Sequence, residues 1–315
     1  MTVAFLFPGQ GSQRAGMLHA LPAHPRVQAT LEESGDILRL DPFSLDEEKA
    51  LESTISTQLA VFIAGVASAR ALIAEGARPD AVAGLSVGAF SAAVISGAVE
   101  FGPGLRLVHT RAELTAERFP SGYGLSAIVG LDEQQVAALV SVCSTPAHPV
   151  YVANLNAPQQ IVVAGSVEGM EMVLDLARKS GCRKAERLPV RIPSHCPLFA
   201  DVAAQLIEAA KDLPPRIPQL TYITNRGARS TQAFDRIRDD IATNIAHPVR
   251  WHDSTEVLAE MGARLFVEMH PGQVLTSLAG AAFPQLRSVA LAATSFEHAV
   301  NLIKAAQQQV SGNGW

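Results

Sequence analysis

The alternation of short apolar strands with longer helices along most of this 315-residue chain predicts an α/β fold with a mainly parallel sheet covered on both faces. Three observations carry that prediction. The outer segments repeat strand then helix, as parallel βαβ units do. The middle third breaks into β-α-β-β-α-β order, the ferredoxin-like unit, which reads as a smaller insertion. Hydrophobic residues make up 48% and charged residues 17%, enough apolar surface for a sizeable core.

Val3–Phe7 reads as a short apolar strand ended by Pro8-Gly9. Thr57–Glu75 is a long apolar helix closed by Gly76, Asp80–Leu85 a second strand, and Val87–Ala98 a helix rich in Ala and Gly. Pro103–Phe119 is the next helix, with proline at its start, where the missing N–H costs little. In the middle third, Leu125–Leu131, Val150–Asn154, Gln160–Gly165 and Arg183–Val190 read as strands, with helices at Asp132–Cys143 and Val167–Gly181. Strands then follow at Leu220–Thr224, Leu265–Met269 and Ser288–Ala293, with helices at Gln273–Ala282 and from Phe296; the polar tail Gln307–Trp315 is expected to fray. These boundaries put a large domain in residues 1–123 and 192–315 and a small one in 124–191, with the cleft between them as the natural ligand site.

Composition narrows the function. Lys and Arg total 25 against 30 Asp and Glu, a formal net charge of -5, with no basic block to neutralise a phosphate backbone; nucleic acid is not an expected partner. Cys143, Cys182 and Cys196 have no C-x-x-C spacing, so neither a disulfide framework nor a four-cysteine zinc site is expected. The first residues lack a basic stretch and meet Pro8 too early for a signal peptide, and the apolar run Leu59–Ala69 is about half a membrane span. A soluble cytoplasmic enzyme is expected, with no membrane partner.

Gly84-Leu85-Ser86-Val87-Gly88 matches G-x-S-x-G between a strand and a small-residue helix. Such a turn lifts the serine hydroxyl above the sheet at a helix N-terminus, where a developing anion is favoured. The plainer reading is an N-capping serine, but the strand-turn-helix context favours a nucleophile. The first strand runs into Pro8-Gly9-Gln10-Gly11-Ser12-Gln13-Arg14; a dinucleotide fingerprint needs Gly or Ala where Arg14 stands. In elbow-type hydrolases the oxyanion donors are the N–H after the nucleophile, here Val87, and one from an earlier strand–helix loop, here Gln10.

His195 leads the candidates for a general base, because Pro193-Ser194-His195-Cys196-Pro197 lies where the chain re-enters the large domain; His270 and His109 stand behind it. Cys196 is a poor nucleophile beside the base it would need. Arg111 follows Leu107 by four residues and precedes Leu114 by three, on the apolar stripe of its helix. A guanidinium there needs an anion, either a local Asp or Glu or a substrate carboxylate gripped by its two-pronged face.

Together these motifs resemble the malonyl-CoA:acyl-carrier-protein transacylase family. The matching residues are Phe7-Pro8-Gly9-Gln10-Gly11-Ser12-Gln13, Gln58, Gly84-x-Ser86-x-Gly88, Arg111, Asn154-x-Asn156-x-Pro158-x-Gln160, Pro193-Ser194-His195-Cys196, Pro248-Val249-x-Trp251 and Pro271-Gly272-x-Val274-Leu275, in family order over nearly the whole chain. The resemblance implies a hydrolase-like large domain with a ferredoxin-like insert. It implies Ser86 as nucleophile, His195 as base, Gln10 and Val87 N–H groups as oxyanion hole, and Arg111 on the malonyl carboxylate, with Gln58 and Asn154 lining the acyl site. It places the backbone carbonyl that orients the base at Arg250. Leu85, Thr115, Leu125, Met269-His270 and Arg250 depart from the usual residues, and Gly-Leu-Ser-Val-Gly looks most like the malonyl transferase (epsilon) subunit of malonate decarboxylase.

The reaction implied moves a malonyl group from malonyl-CoA through a malonyl-serine to the thiol of a phosphopantetheine-type arm on an acyl carrier protein. No metal or bound cofactor is expected, and other malonate decarboxylase subunits become expected partners. The same reaction serving fatty-acid or polyketide synthesis, a serine thioesterase or esterase, and a non-catalytic docking subunit are the rival readings.

Overall fold

The structure, a computed structural model, describes residues 2–119 and 121–311. In chain order its elements are β1 (Val3–Phe7), α1 (Pro25–Leu38), α2 (Thr54–Ala74), β2 (Ala81–Gly84), α3 (Gly88–Ile95), α4 (Phe101–Arg118), β3 (Tyr123–Val129), α5 (Glu133–Cys143), β4 (Val150–Ala157), β5 (Gln160–Ser166), α6 (Val167–Lys179), β6 (Lys184–Arg187), α7 (Ala200–Ala210), β7 (Thr221–Ile223), β8 (Ser230–Thr231), α8 (Phe234–Thr243), α9 (Trp251–Glu260), β9 (Leu265–Glu268), α10 (Val274–Ala282), β10 (Arg287–Ala290) and α11 (Phe296–Ser311).

Six strands form one sheet in the order β10-β9-β1-β2-β7-β8, every pair parallel except the short β7–β8 edge. β1 lies inside it with all five residues buried, as a strand covered on both faces requires. The pleat sorts its side chains. Val3, Phe5 and Phe7 enter the larger core with α2, α3 and α4, while Ala4 and Leu6 meet Trp251, Leu258 and Leu275 of α9 and α10 on the other face. α2 is apolar enough to cross a membrane by length and composition, yet 83% of its most apolar window is buried inside the protein. A helix apolar on all sides belongs in a core, and this one is sandwiched among α1, α3 and α4.

The second sheet is antiparallel, in the order β4-β5-β3-β6, and the chain threads it as β-α-β-β-α-β. One face carries α5 and α6 over Ile128, Val150, Ile161 and Val163. The other turns Leu125, Ala153, Val162 and Ala164 toward Cys196. β4 is pinned to the segment before α9: Leu155 N–H donates to Val249 O at 2.9 Å and Val249 N–H to Ala153 O at 2.8 Å. Both halves of the expected α/β architecture are therefore present.

Several boundaries differ from expectation. Pro103 is the third residue of α4, not its first. The strand expected at Arg183–Val190 is regular only over Lys184–Arg187, a charged edge strand, although Leu188 and Val190 still bond to Leu125 irregularly. The one expected at Ser288–Ala293 turns at Ala290 into a 3-10 turn. Gln307–Ser311 continue α11; the rest of the expected tail lies outside the described residues. Helices α1, α7, α8 and α9 had no counterpart in the sequence reading; α1, α8 and α9 each present only a narrow buried stripe among polar residues, whereas α7 is mostly alanine and aliphatic residues.

Two glycines give opposite stability expectations. A Cβ on Gly88 would stand 2.2 Å from the backbone oxygen of Phe7, whereas one on exposed helical Gly280 meets nothing within 4 Å. Gly88→Ala is expected to cost on the order of 3 kcal/mol, and Gly280→Ala to add about 0.5–1 kcal/mol. Denaturant melts of the two variants check this pair.

Candidate active site

β2 ends at Gly84 and α3 opens at Gly88, which leaves Leu85-Ser86-Val87 to reverse the chain. Ser86 adopts φ +58°, a left-handed conformation that costs a non-glycine residue about 1–3 kcal/mol and persists only where its surroundings enforce it. The enforcement is close backbone contact. A Cβ on Gly84 would lie 2.1 Å from Gly88 O, and one on Gly9 would lie 2.6 Å from Leu85 O. The loop after β1 is thus laid directly against the turn that carries Ser86. Among the described residues, neither the Gln10 N–H nor the Val87 N–H has an acceptor.

His195, φ +66° and 2% exposed, comes from the loop that follows β6. Its Nε2 lies 2.7 Å from Ser86 Oγ and its Nδ1 2.8 Å from the Asn244 carbonyl oxygen. A carbonyl can only accept, so Nδ1 carries the proton and Nε2 is left to accept from the serine. Burial, and next the positive charge of Arg111, hold this imidazole at a pKa of about 4, against 6.5 ordinarily. It is neutral near pH 7, the state a proton acceptor needs. The orienting carbonyl belongs to Asn244, not Arg250: Arg250 caps α9 and directs its side chain to Glu133 and Asp253. Asn244 sits in the 3-10 turn after α8, and its side-chain Nδ2 also donates to Ser86 O at 3.3 Å.

Arg111 is 2% exposed, and its Nη2 donates to Ser86 Oγ at 3.2 Å. Its Nη1 donates to Gln58 Oε1, while Nε has no partner. Gln58 is held in turn by donating from Nε2 to Thr115 Oγ1 at 3.0 Å and Thr54 Oγ1 at 3.1 Å. Among the described residues no carboxylate neutralises Arg111, so the structural ion pair left open by the sequence is absent. Burial alone pulls the guanidinium down to about 9, still protonated at neutral pH.

Gln10, Gln58, Ser86, Val87, Arg111, Asn154 and His195, the residues to which the resemblance gives side-chain or N–H roles, line one cavity of about 50 Å³. That is room for about four water-sized groups. Leu85, Thr115 and Leu125 line it as well. The other candidates fall elsewhere. His109 pairs with Glu113 on an exposed helix face, and His270 lies in a separate cavity with Arg14. Burial drives the Cys196 thiol up to about 12, and it donates to Pro193 O. Among the described residues no three His, Cys, Asp or Glu side chains are grouped to hold a metal ion. Asn244 had no counterpart in the sequence reading, since it meets His195 through its backbone carbonyl.

A buried serine on a strained elbow, bonded to a neutral histidine and flanked by two N–H groups without acceptors, is the constellation of an acyl-transferring enzyme. The chain matches the acyl transferase domain family over residues 4–307 and belongs to it. It is 35% identical to the malonyl CoA-acyl carrier protein transacylase of Escherichia coli K12 over 283 residues, 87% of this chain and 91% of that one. Identity to the Bacillus subtilis protein of the same name is 31% over 294 residues, 92% and 93% of the two chains. The solved structure of the malonyl CoA-acyl carrier protein transacylase from Coxiella burnetii superposes with a TM-score of 0.91 at 31% identity, covering 96% of this chain and 97% of that one. A malonyl-transacylase solved in complex with its type II PKS acyl-carrier protein gives 0.90 at 32% identity, covering 98% and 100%.

The depressed His195 pKa has a defined sign. The folded state takes up this proton only near pH 4 and the unfolded chain near 6.5, so the stability held in the neutral ring is complete above 6.5 and lost as pH falls toward 4. An NMR titration is expected to find His195 neutral at pH 5.5, with its midpoint moving up in Arg111→Met, where the repelling charge is gone. A midpoint near 6.5 in the unaltered protein would contradict the geometry.

Proposed function

We propose that the protein transfers a malonyl group from malonyl-CoA to the thiol of a phosphopantetheine-type arm on an acyl carrier protein, by way of a malonyl-Ser86 ester. The observation that carries this reading is Arg111, buried with no paired carboxylate among the described residues and 3.2 Å from Ser86 Oγ. An unpaired guanidinium would be costly beside an apolar acyl chain, but a free carboxylate one short acyl length from the serine pairs with it. The names of the relatives point to the same donor and acceptor.

His195 Nε2 takes the Ser86 proton as Oγ attacks the thioester carbonyl, and the resulting oxyanion is met by the Gln10 and Val87 N–H groups. As the tetrahedral adduct collapses, the C–S bond breaks and the imidazolium returns its proton to the CoA sulfur. The arm thiol then gives its proton to His195 and attacks the malonyl ester, and Ser86 Oγ leaves with that proton. Arg111 holds the malonyl carboxylate throughout, Gln58 fixes the guanidinium, and Asn154 closes the acyl site from the antiparallel sheet. CoA arrives as substrate and the arm belongs to the carrier, so no resident cofactor enters the cycle. The division into residues 1–123 with 192–315 and residues 124–191 is part of this proposal, as is a cytoplasmic location: the acyl site would open between the two units.

The carrier is the finer part of the proposal. The resemblance of Gly84-Leu85-Ser86-Val87-Gly88 to the malonyl transferase subunit of malonate decarboxylase makes the carrier subunit of such an enzyme one candidate. A fatty-acid or polyketide carrier fits the same chemistry equally, and transfer rates to a panel of purified carriers distinguish them. Release of free malonate faster than thiol transfer would turn the reading to a thioesterase.

Arg111→Ala is expected to lose malonyl transfer by on the order of 10²-fold or more while acetyl transfer is kept or gained. Steady-state rates with malonyl-CoA and acetyl-CoA check this, and equal losses with both would remove the carboxylate clamp.

A further inference from the structure

Ser86 is held in its left-handed conformation by a side chain outside the elbow, Asn225, two residues beyond β7. Its Oδ1 accepts from Ser86 N–H at 2.9 Å, and its Nδ2 donates to Gly84 O at 2.8 Å. One amide therefore spans the turn, gripping a group on each side of Leu85. The assignment of oxygen and nitrogen follows from the partners, since Ser86 N–H can only donate and Gly84 O only accept.

Asn225 is itself fixed at every polar atom. Its N–H lies 2.9 and 3.0 Å from the two Asp240 carboxylate oxygens, and its carbonyl accepts from Arg250 N–H at 2.9 Å. Asp240, from α8, also accepts from Tyr222 OH at 2.7 Å and Arg226 N–H at 3.3 Å. Tyr222 and Ile223 pair in register with Val82 and Ala83 of β2, so the anchor and the elbow stand on neighbouring strands. Asn225 is 2% exposed and lies outside the acyl cavity.

We infer that Asn225 is a positioning residue for the acyl-transfer reaction: backed by Asp240, it holds Ser86 strained and aimed, so that Oγ stays within reach of His195 and the Val87 N–H stays turned toward the oxyanion. This rests on the reading of Ser86 as nucleophile. The hold on Arg111 through Gln58, Thr54 and Thr115 does not run through the elbow, so a loosened elbow displaces Ser86 and the Val87 N–H while the carboxylate clamp stays in place, and the effect belongs mainly in the chemical step. Displacement of reacting groups by about 1 Å costs on the order of 10²-fold in rate.

The test compares the unaltered protein with Asn225→Ala and Asn225→Asp, reading three quantities: the single-turnover rate of Ser86 acylation by malonyl-CoA, KM for malonyl-CoA, and the thermal unfolding transition. Asn225→Ala is expected to slow acylation on the order of 10²-fold with KM changed by less than about threefold, in protein that still unfolds cooperatively. In Asn225→Asp the new carboxyl, when protonated, offers one acceptor and one donor as the amide does. When ionised it cannot donate to Gly84 O. Acylation by Asn225→Asp relative to the unaltered protein is therefore expected to recover as pH is lowered, measured where both are folded. Acylation at the unaltered rate in Asn225→Ala, or a loss confined to KM, overturns the inference. So does a pH-independent deficit in Asn225→Asp, which carries the test by itself if Asn225→Ala does not fold. Failure of the unaltered protein to acylate Ser86 would instead remove the nucleophile reading beneath it.

Discussion

The site depends on two stretches of backbone approaching each other more closely than any side chain permits. Gly88 lies against the carbonyls of Phe7 and Pro8, and Gly9 lies against that of Leu85. This contact sets the end of β1 beside the end of β2, so two N–H groups without acceptors share a cavity with a serine hydroxyl. Parallel pairing of β1 with β2 and of β2 with β7 fixes the elements whose carboxyl ends meet there, as ligand sites in open α/β sheets require. The strain at Ser86 is met by this close backbone packing and by the Asn225–Asp240 brace of buried hydrogen bonds to backbone groups.

Charge is the second organising constraint. Arg111 is buried among neutral partners, oriented by Gln58, which Thr54 and Thr115 hold in turn, and it sits over the Phe90 ring at 5.8 Å. Such an arrangement is unfavourable in isolation, because the guanidinium has lost water without gaining an anion. It also works against protonation of His195. In the proposed reaction an incoming carboxylate compensates the guanidinium and offsets the charge that adds to burial in holding the imidazole's proton affinity down. Selectivity for an anionic acyl group and readiness of the base then arise from one electrostatic arrangement.

Much of this was legible in the residues. G-x-S-x-G between strand and helix singled out Ser86, and the junction loop put His195 ahead of His270 and His109, because both signals are local. The position of Arg111 on an apolar stripe was legible too, but its meaning was not: whether a carboxylate reaches it depends on neighbours such as Gln58, 53 residues away. Asn225 contacts Ser86 across 139 residues and Asn244 contacts His195 across 49, through backbone groups on one side of each bond. Backbone partners leave no mark of residue type, which is why the orienting carbonyl was expected at Arg250 and found at Asn244. Short polar helices such as α8 escaped for a related reason, since their burial is supplied by distant elements and not by an apolar run.

Ser86 is proposed to carry the acyl group between two thiols. Intact-mass measurement after brief mixing with malonyl-CoA tests this most directly. A malonyl adduct is expected that maps to Ser86, is absent from Ser86→Ala, and clears when a carrier thiol is added. CoA released with malonate in solution and no adduct at Ser86, or an adduct that persists in Ser86→Ala, would contradict it.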